Sequence, residues 1–320
     1  MILAGGAIDL SAGAEANFDI LFYGLGFETR STHLAANLNA RHNVGLKLPF
    51  INIHHYKRNV RFAETRKHTI VNEPLAYSIS GVLQQHRVRE TIKIAFDISS
   101  LNRAVMFDYL LQFAKHLHSG DELTLLYSPS AYSPPEWKFP QLQRFGPISD
   151  YFTSFNTDPS LPLSLMLGLG FEPGVSMGII SQLEPRLTYC LWGSGADVRF
   201  DRTVKKANFD FRFPGFPTRS VRYLLNDPRG SFDLMEGIAY GLMRDFNVVV
   251  VPLGPKIFSV LAGLLAMKHF GKISVWRAQY SRSNWPDAVP GKLTISADID
   301  VQALRQVCLD NEDLFYNMPA

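Results

Sequence analysis

A chain of 320 residues, 46% hydrophobic and 19% charged, is long enough for two ordinary folded domains and gives no compositional ground for disorder. Its formal net charge of +3 is too slight to make duplex nucleic acid an expected partner, although local basic clusters exist. Two cysteines, Cys190 and Cys308, supply neither a disulfide framework nor metal-ligand spacing, so no metal is expected and a reducing, cytoplasmic compartment fits.

Asp19–Tyr23 reads as the first strand, closed by the turn Gly24-Leu25-Gly26-Phe27-Glu28, with a helix expected from Glu28 to Ala40. Strand, glycine turn and helix open a βαβ unit, whose backbone amides face whatever sits above the strand ends. Pro49–Ile53 is expected as the second strand, running into His54, His55 and Tyr56. The basic run Lys57, Arg58, Arg61, Arg66 and Lys67 follows, either a solvated helix face or a phosphate-facing rim. Ile92–Phe96 is a strand ending at Asp97, Ser99 and Ser100, with Arg103 and an apolar helix from Val105 to Leu117 behind it. Another strand, Leu123–Tyr127, gives way to a proline- and serine-rich loop at 128–135. The first half is expected to close at residue 150.

The second half, expected over residues 151–320, repeats this plan. The pentapeptide returns as Gly168-Leu169-Gly170-Phe171-Glu172 after Leu163–Leu167, and a helix over Val175–Leu183 follows. Leu187–Trp192 is the next strand. Extra material falls at 200–217, where Phe209 to Pro217 alternates aromatic with other residues and suggests an edge strand or an ordered flap at the rim. Val248–Val251 runs into Pro252-Leu253-Gly254-Pro255-Lys256, then an apolar helix to Met267 and a strand over Ile273–Trp276. A final helix is expected over Ile299–Phe315, capped by Asp298 or Asp300. No apolar run escapes prolines and charges for long enough to cross a membrane, and the first residues lack the basic flank of a signal peptide. The fold expected is α/β: two Rossmann-like halves related by internal duplication and a pseudo-two-fold.

The candidate site residues sit at the hinges. Gly24 and Gly26, with Gly168 and Gly170, permit close backbone approach to a ligand or simply make tight turns. A dinucleotide fingerprint would need a small third residue and an acid ending the second strand; Thr29 and the His54-His55 pair stand there instead. Glu28 and Glu172 suit a first helical turn on dipole grounds, and Arg30 has no counterpart in the second copy. Ser99 or Ser100 is expected to cap the helix behind it. Asp97, ending a buried strand, needs a partner or a ligand, and Arg103 could be that partner or meet a phosphate. Gly254 permits an unusual backbone angle and Pro255 suits the first helical position. Lys256 would then stand at the positive end of that helix, where a phosphate is a natural companion.

The glycine turns, the polar second hinge and the Gly-Pro-Lys helix start resemble the CARF domains and their fused-pair relatives, the SAVED domains, of prokaryotic antiviral defence. The motif match is carried by Gly254 and Lys256. The resemblance implies that a small residue and a lysine at this helix start face a nucleotide second messenger. It therefore implies a sensor or effector-associated subunit that binds a phosphorylated nucleotide or short oligonucleotide, working with partner chains or as a homo-oligomer. A nucleotide-processing enzyme using Asp97 and Glu28 as acid and base, with Arg103 and Lys256 stabilising charge, is one alternative. A non-catalytic scaffold subunit is another.

Overall fold

Runs of β-branched and aliphatic residues bounded by glycine and proline become the strands of two separate sheets. The computed structural model describes residues 2–4, 17–48, 54–72, 76–87, 89–135, 141–153, 158–280 and 287–311. In chain order the elements are β1 (Leu3–Ala4), β2 (Phe18–Leu25), α1 (His33–Asn37), β3 (Ala40–Lys47), α2 (His54–Thr65) and β4 (Thr69–Asn72). Then come α3 (Ala76–His86), β5 (Lys93–Asp97), α4 (Arg103–His116), β6 (Glu122–Tyr127) and β7 (Leu142–Pro147). The second set is β8 (Leu163–Gly168), α5 (Val175–Leu183), β9 (Leu187–Ser194), α6 (Val198–Ala207) and β10 (Thr218–Leu224). It continues with α7 (Pro228–Leu242), β11 (Asn247–Pro252), α8 (Lys256–Lys268), β12 (Ile273–Tyr280), β13 (Ile295–Ile299) and α9 (Val301–Leu309).

One sheet runs β1-β13-β6-β5-β2-β3-β4 and the other β10-β9-β8-β11-β12-β7. Strands β4-β3-β2-β5-β6 and β10-β9-β8-β11-β12 are parallel throughout and follow the same spatial order, with the first strand of each set in the middle. That is the doubly wound order, in which a ligand crevice opens where the winding reverses beside the first strand. Each set carries one antiparallel strand on its outer side, β13 on β6 and β7 on β12.

Those two strands correct the sequence-based boundary at 150/151. β7 follows β6 along the chain but pairs with β12; β13 follows β12 but pairs with β6. The chain accordingly divides into Met1–Ala131 with Asn284–Ala320, and Tyr132–Ser283. α9 belongs to the first unit and is capped as expected by Asp300, whose carboxylate accepts from the Ala303 amide.

The helix and strand after the first turn also differ from expectation. Thr29–Thr32 is a 3-10 turn leading into the short α1, and β3 begins at Ala40, so there is no room for a long helix. The strand expected at Pro49–Ile53 lies outside the described residues, and the next strand after β2 in the chain, which pairs with it, is β3. His55 and Tyr56 belong to α2.

Each unit builds its own core from the central strands. In the first, Phe22, Phe96, Tyr109 and Phe113 meet edge to face or stacked with ring centroids 5.2–6.1 Å apart. In the second, Leu165, Leu167 and Val251 pack against Val175, Ile179 and Ile180 of α5 and against Cys190 and Trp192 of β9. Helices α4 and α8 are buried nearly all round, as uniformly apolar helices must be.

Candidate functional site

The repeated glycines lie at the carboxyl ends of the two central strands, Gly24 within β2 and Gly168 ending β8. None of Gly24, Gly26, Gly168, Gly170 and Gly254 has a positive φ, so the unusual angle that glycine permits at 254 is not used. These positions are glycine because something presses on them. A Cβ on Gly24 would lie 2.7 Å from the Leu101 side chain and 3.0 Å from Ser100 Oγ, and one on Gly168 would run into the Phe258 ring. In both units, then, a side chain from just after the second hinge occupies the space that the first glycine leaves.

In the second unit the approach is backbone to backbone. A Cβ on Gly254 would lie 2.7 Å from the Leu169 carbonyl oxygen, and one on Gly170 would lie 3.1 Å from that of Leu253. The glycine turn and the Gly-Pro-Lys hinge are therefore pressed together above β8 and β11, which pair through Gly168 and Pro252. Helix α8 starts at Lys256 with Pro255 as its N-cap, and no side chain caps it. Lys256 is half-buried there. Helix α5 starts behind Gly174, which is left-handed with φ 76°, and it too lacks a side-chain cap. The exposed Glu172 carboxylate folds back toward Gly170 and lies close enough to Tyr280 to raise that phenol's pKa, burial being the larger cause.

The first unit fills the corresponding place with its own groups. The buried Arg30 donates from Nε to Glu28 Oε2 at 2.8 Å and from Nη1 to the Ser128 carbonyl at 3.1 Å. Burial alone would lower the pKa of this guanidinium; the Glu28 carboxylate and the Tyr127 hydroxyl raise it above the ordinary arginine value. The Thr29 amide donates to Asp287 Oδ1 at 2.6 Å, the Thr29 hydroxyl donates to the other oxygen of that carboxylate, and the Arg30 amide donates to the Ala288 carbonyl at 3.0 Å. Arg58 Nη2 donates to Thr29 Oγ1 at 3.1 Å, so one cation of the basic run does face the turn. Burial would raise the Asp287 pKa, but the Thr29 bonds, His55 and Arg58 hold it below the usual carboxylate range. At the turn where a ligand anion was expected, the Thr29 amide meets Asp287 and the Arg30 amide meets a backbone carbonyl instead.

The second hinge of the first unit is equally committed. Asp97 is 1% exposed and accepts from the Ser99 amide at 2.8 Å. Ser99 Oγ accepts from the Ser128 amide at 2.8 Å, and Ser100 Oγ donates to the Gly24 carbonyl at 2.9 Å. Neither serine caps α4, which corrects that expectation. The cap is Asn102, whose side chain accepts from the Val105 amide at 2.9 Å, and Arg103 is the first helical residue.

Two asparagines escaped the sequence reading. Asn59 Nδ2 donates to the Gly26 and Glu28 carbonyls at 2.9 and 2.8 Å, and Asn208 Nδ2 donates to the Gly170 carbonyl at 2.8 Å. In each unit an amide from after the second strand holds the second glycine of the turn. Asn59 was hidden inside a basic run that looks solvated.

A groove of about 410 Å³ lies elsewhere, on the flank of α7 against Tyr189, lined by Leu234, Gly237, Ile238 and Gly241. No group of histidine, cysteine and acidic side chains with metal-binding geometry occurs among the described residues. Among the same residues no helix is long and apolar enough to cross a membrane.

No protein-family model matches the chain, and comparison with curated proteins finds no match. Among solved structures, a type III CRISPR defence DNA nuclease activated by cyclic oligoadenylate aligns over 78% of this chain and 64% of its own, with 10% identity and a TM-score of 0.46. Phosphoethanolamine N-methyltransferase 1 of Haemonchus contortus aligns over 74% and 69%, with 12% identity and a TM-score of 0.23. The chain thus spans less than two thirds of the nuclease's length, and neither likeness carries a functional argument.

Proposed function

We propose that the chain binds a phosphorylated nucleotide or short oligonucleotide above the carboxyl ends of β8 and β11. The observation that carries this is the backbone contact of Gly254 with Leu169, which brings Lys256 and the uncapped start of α8 beside the Gly168–Gly170 turn. A lysine at the amide end of a buried helix supplies both a point charge and directed N–H donors to a phosphate. Gly168, Gly170, Gly254 and Lys256 form the site, and Glu172 closes its rim, where it would repel excess negative charge.

The two units are copies of one ancestral unit, and they have diverged in use. In the first, Thr29 holds the Asp287 carboxylate, Arg30 pairs with Glu28, Asn59 holds the Gly26 carbonyl, and Asp97, Ser99 and Ser100 bond to the backbone around the second hinge and Gly24. Arg103 starts α4. The acid–base enzyme is the weaker alternative, because Glu28 is held by Arg30 and Asp97 is buried under a backbone amide. The setting in antiviral defence rests on the sequence resemblance, and an output would need a partner chain or a second copy.

Isothermal titration with a panel of mononucleotides, linear dinucleotides and cyclic oligonucleotides tests this binding. Saturable binding of at least one phosphorylated member, absent for the parent nucleoside, is expected. A panel that produces no heat at millimolar ligand would refute it.

A further inference from the structure

The segment joining α6 to β10 carries a conformation that its residues do not choose for themselves. Phe209, Asp210 and Phe211 all have positive φ, 53°, 52° and 63°. Left-handed backbone is unfavourable for an aromatic residue, and three in succession persist only where the surroundings impose them. The surroundings are visible. Phe211 stacks on Trp192 with ring centroids 5.4 Å apart, Phe213 is buried in the second core, and the Thr218 hydroxyl reaches the Phe211 carbonyl. The segment expected at the rim is thus anchored through Phe211, Phe213 and Phe216, and the turn leaves the Phe209 ring 51% exposed.

The stretch that carries this ring is rich in cations. From Arg202 to Leu225 the sequence holds six basic residues, Arg202, Lys205, Lys206, Arg212, Arg219 and Arg222, against the single acid Asp210. Lys205 Nζ lies 5.2 Å from the Trp192 ring centre, and Arg222 stands opposite Trp192 in the β10–β9 ladder. Lys205, Lys206, Arg212 and Arg222 are all exposed. An exposed aromatic ring and exposed cations in one stretch beside the edge strand β10 match what single-stranded nucleic acid needs, a face for a base and charges for its backbone. A duplex keeps its bases stacked inside and would use only the charges.

We propose that this edge of the second unit, with Phe209 as the stacking platform and Lys205, Lys206, Arg212 and Arg222 as phosphate contacts, binds single-stranded nucleic acid. The surface is separate from the proposed Lys256 site, and the two stand or fall independently.

Fluorescence anisotropy with a labelled 12-nucleotide single-stranded RNA of mixed sequence decides it, with the same RNA as a duplex and a labelled oligoglutamate as comparators. Phe209→Ala, whose melting temperature should match wild type because the ring is exposed, is expected to weaken single-strand binding about 5- to 100-fold, the effect of one lost stacking contact. Lys205→Ala with Arg222→Ala should flatten the dependence of log K on log salt by about 0.7 per phosphate contact removed. No binding by wild type, or wild-type affinity in Phe209→Ala, would overturn the proposal. Equal affinity for the duplex would reduce the surface to a bare basic patch, and equal affinity for oligoglutamate would assign it to an acidic protein; either result also overturns it.

Discussion

Arg30 shows how one residue changes the meaning of a repeated turn. Its guanidinium and the Glu28 carboxylate are only 8% and 14% exposed, so truncating the arginine would remove a well-shielded partner from Glu28 and a donor from the Ser128 carbonyl. Arg30→Ala is expected to lose about 3–5 kcal/mol in urea unfolding, the usual result of breaking a buried pair on one side; a loss under about 1 kcal/mol would show that the pair is surface-like. Histidines give a pH test at the same scale. Burial lowers the pKa of His33, His68, His86 and His116 below the ordinary 6.5, with the neighbouring His42 adding to the effect at His86. A base whose folded pKa is depressed takes its proton more readily when unfolded. The stability these neutral rings contribute is therefore complete above about pH 6.5 and is lost as pH falls from there through the depressed folded values. Urea midpoints measured between pH 7.5 and 5 should decline; a flat or rising profile would contradict the assignment.

At the scale of elements, the glycines divide into those that are pressed and those that are not. Gly254→Ala would drive a methyl group against the Leu169 carbonyl and is expected to cost about 1–3 kcal/mol. Gly237→Ala on α7 would meet nothing within 4 Å, and it should gain about 0.5–1 kcal/mol from helix propensity. Thermal melts of the two variants should move in opposite directions, and a shared direction would undo the close-approach account. These residues also mark what the sequence could and could not reveal. The repeated pentapeptide and the apolar runs before Asp97 and Pro252 located the central strands and their hinges, because fully buried parallel strands read as continuous apolar segments. β3 and β10 were missed because their outer positions are polar: Ala40–Lys47 has only Val44, Gly45 and Leu46 buried, and Thr218–Leu224 only Tyr223. The filling of the first turn was illegible for another reason. Thr29 and Asp287 are 258 positions apart, and nothing local to either announces the other.

For the whole molecule, the exchange of outer strands ties the folding of each unit to a segment beyond its partner's fifth strand. Removing residues 284–320 takes away β13 and α9 and leaves β6 with an unpaired edge. Hydrogen exchange on the truncated chain should show lost protection in β6 and retained protection in β8, β9 and β11; uniform loss or uniform retention would contradict the division into units. We propose that the second unit keeps an anion site at a turn where the first unit holds its own Asp287 carboxylate. Titration of one phosphorylated nucleotide that binds the wild type, repeated on Lys256→Ala and on Asp287→Ala, tests it most directly. Loss of the Lys256 contact should weaken binding by about 1.5–3 kcal/mol, the worth of a hydrogen bond to a charged group. Asp287→Ala should leave that affinity as it was. Wild-type affinity in Lys256→Ala, or binding that instead responds to Asp287→Ala, would place the ligand elsewhere and contradict the account.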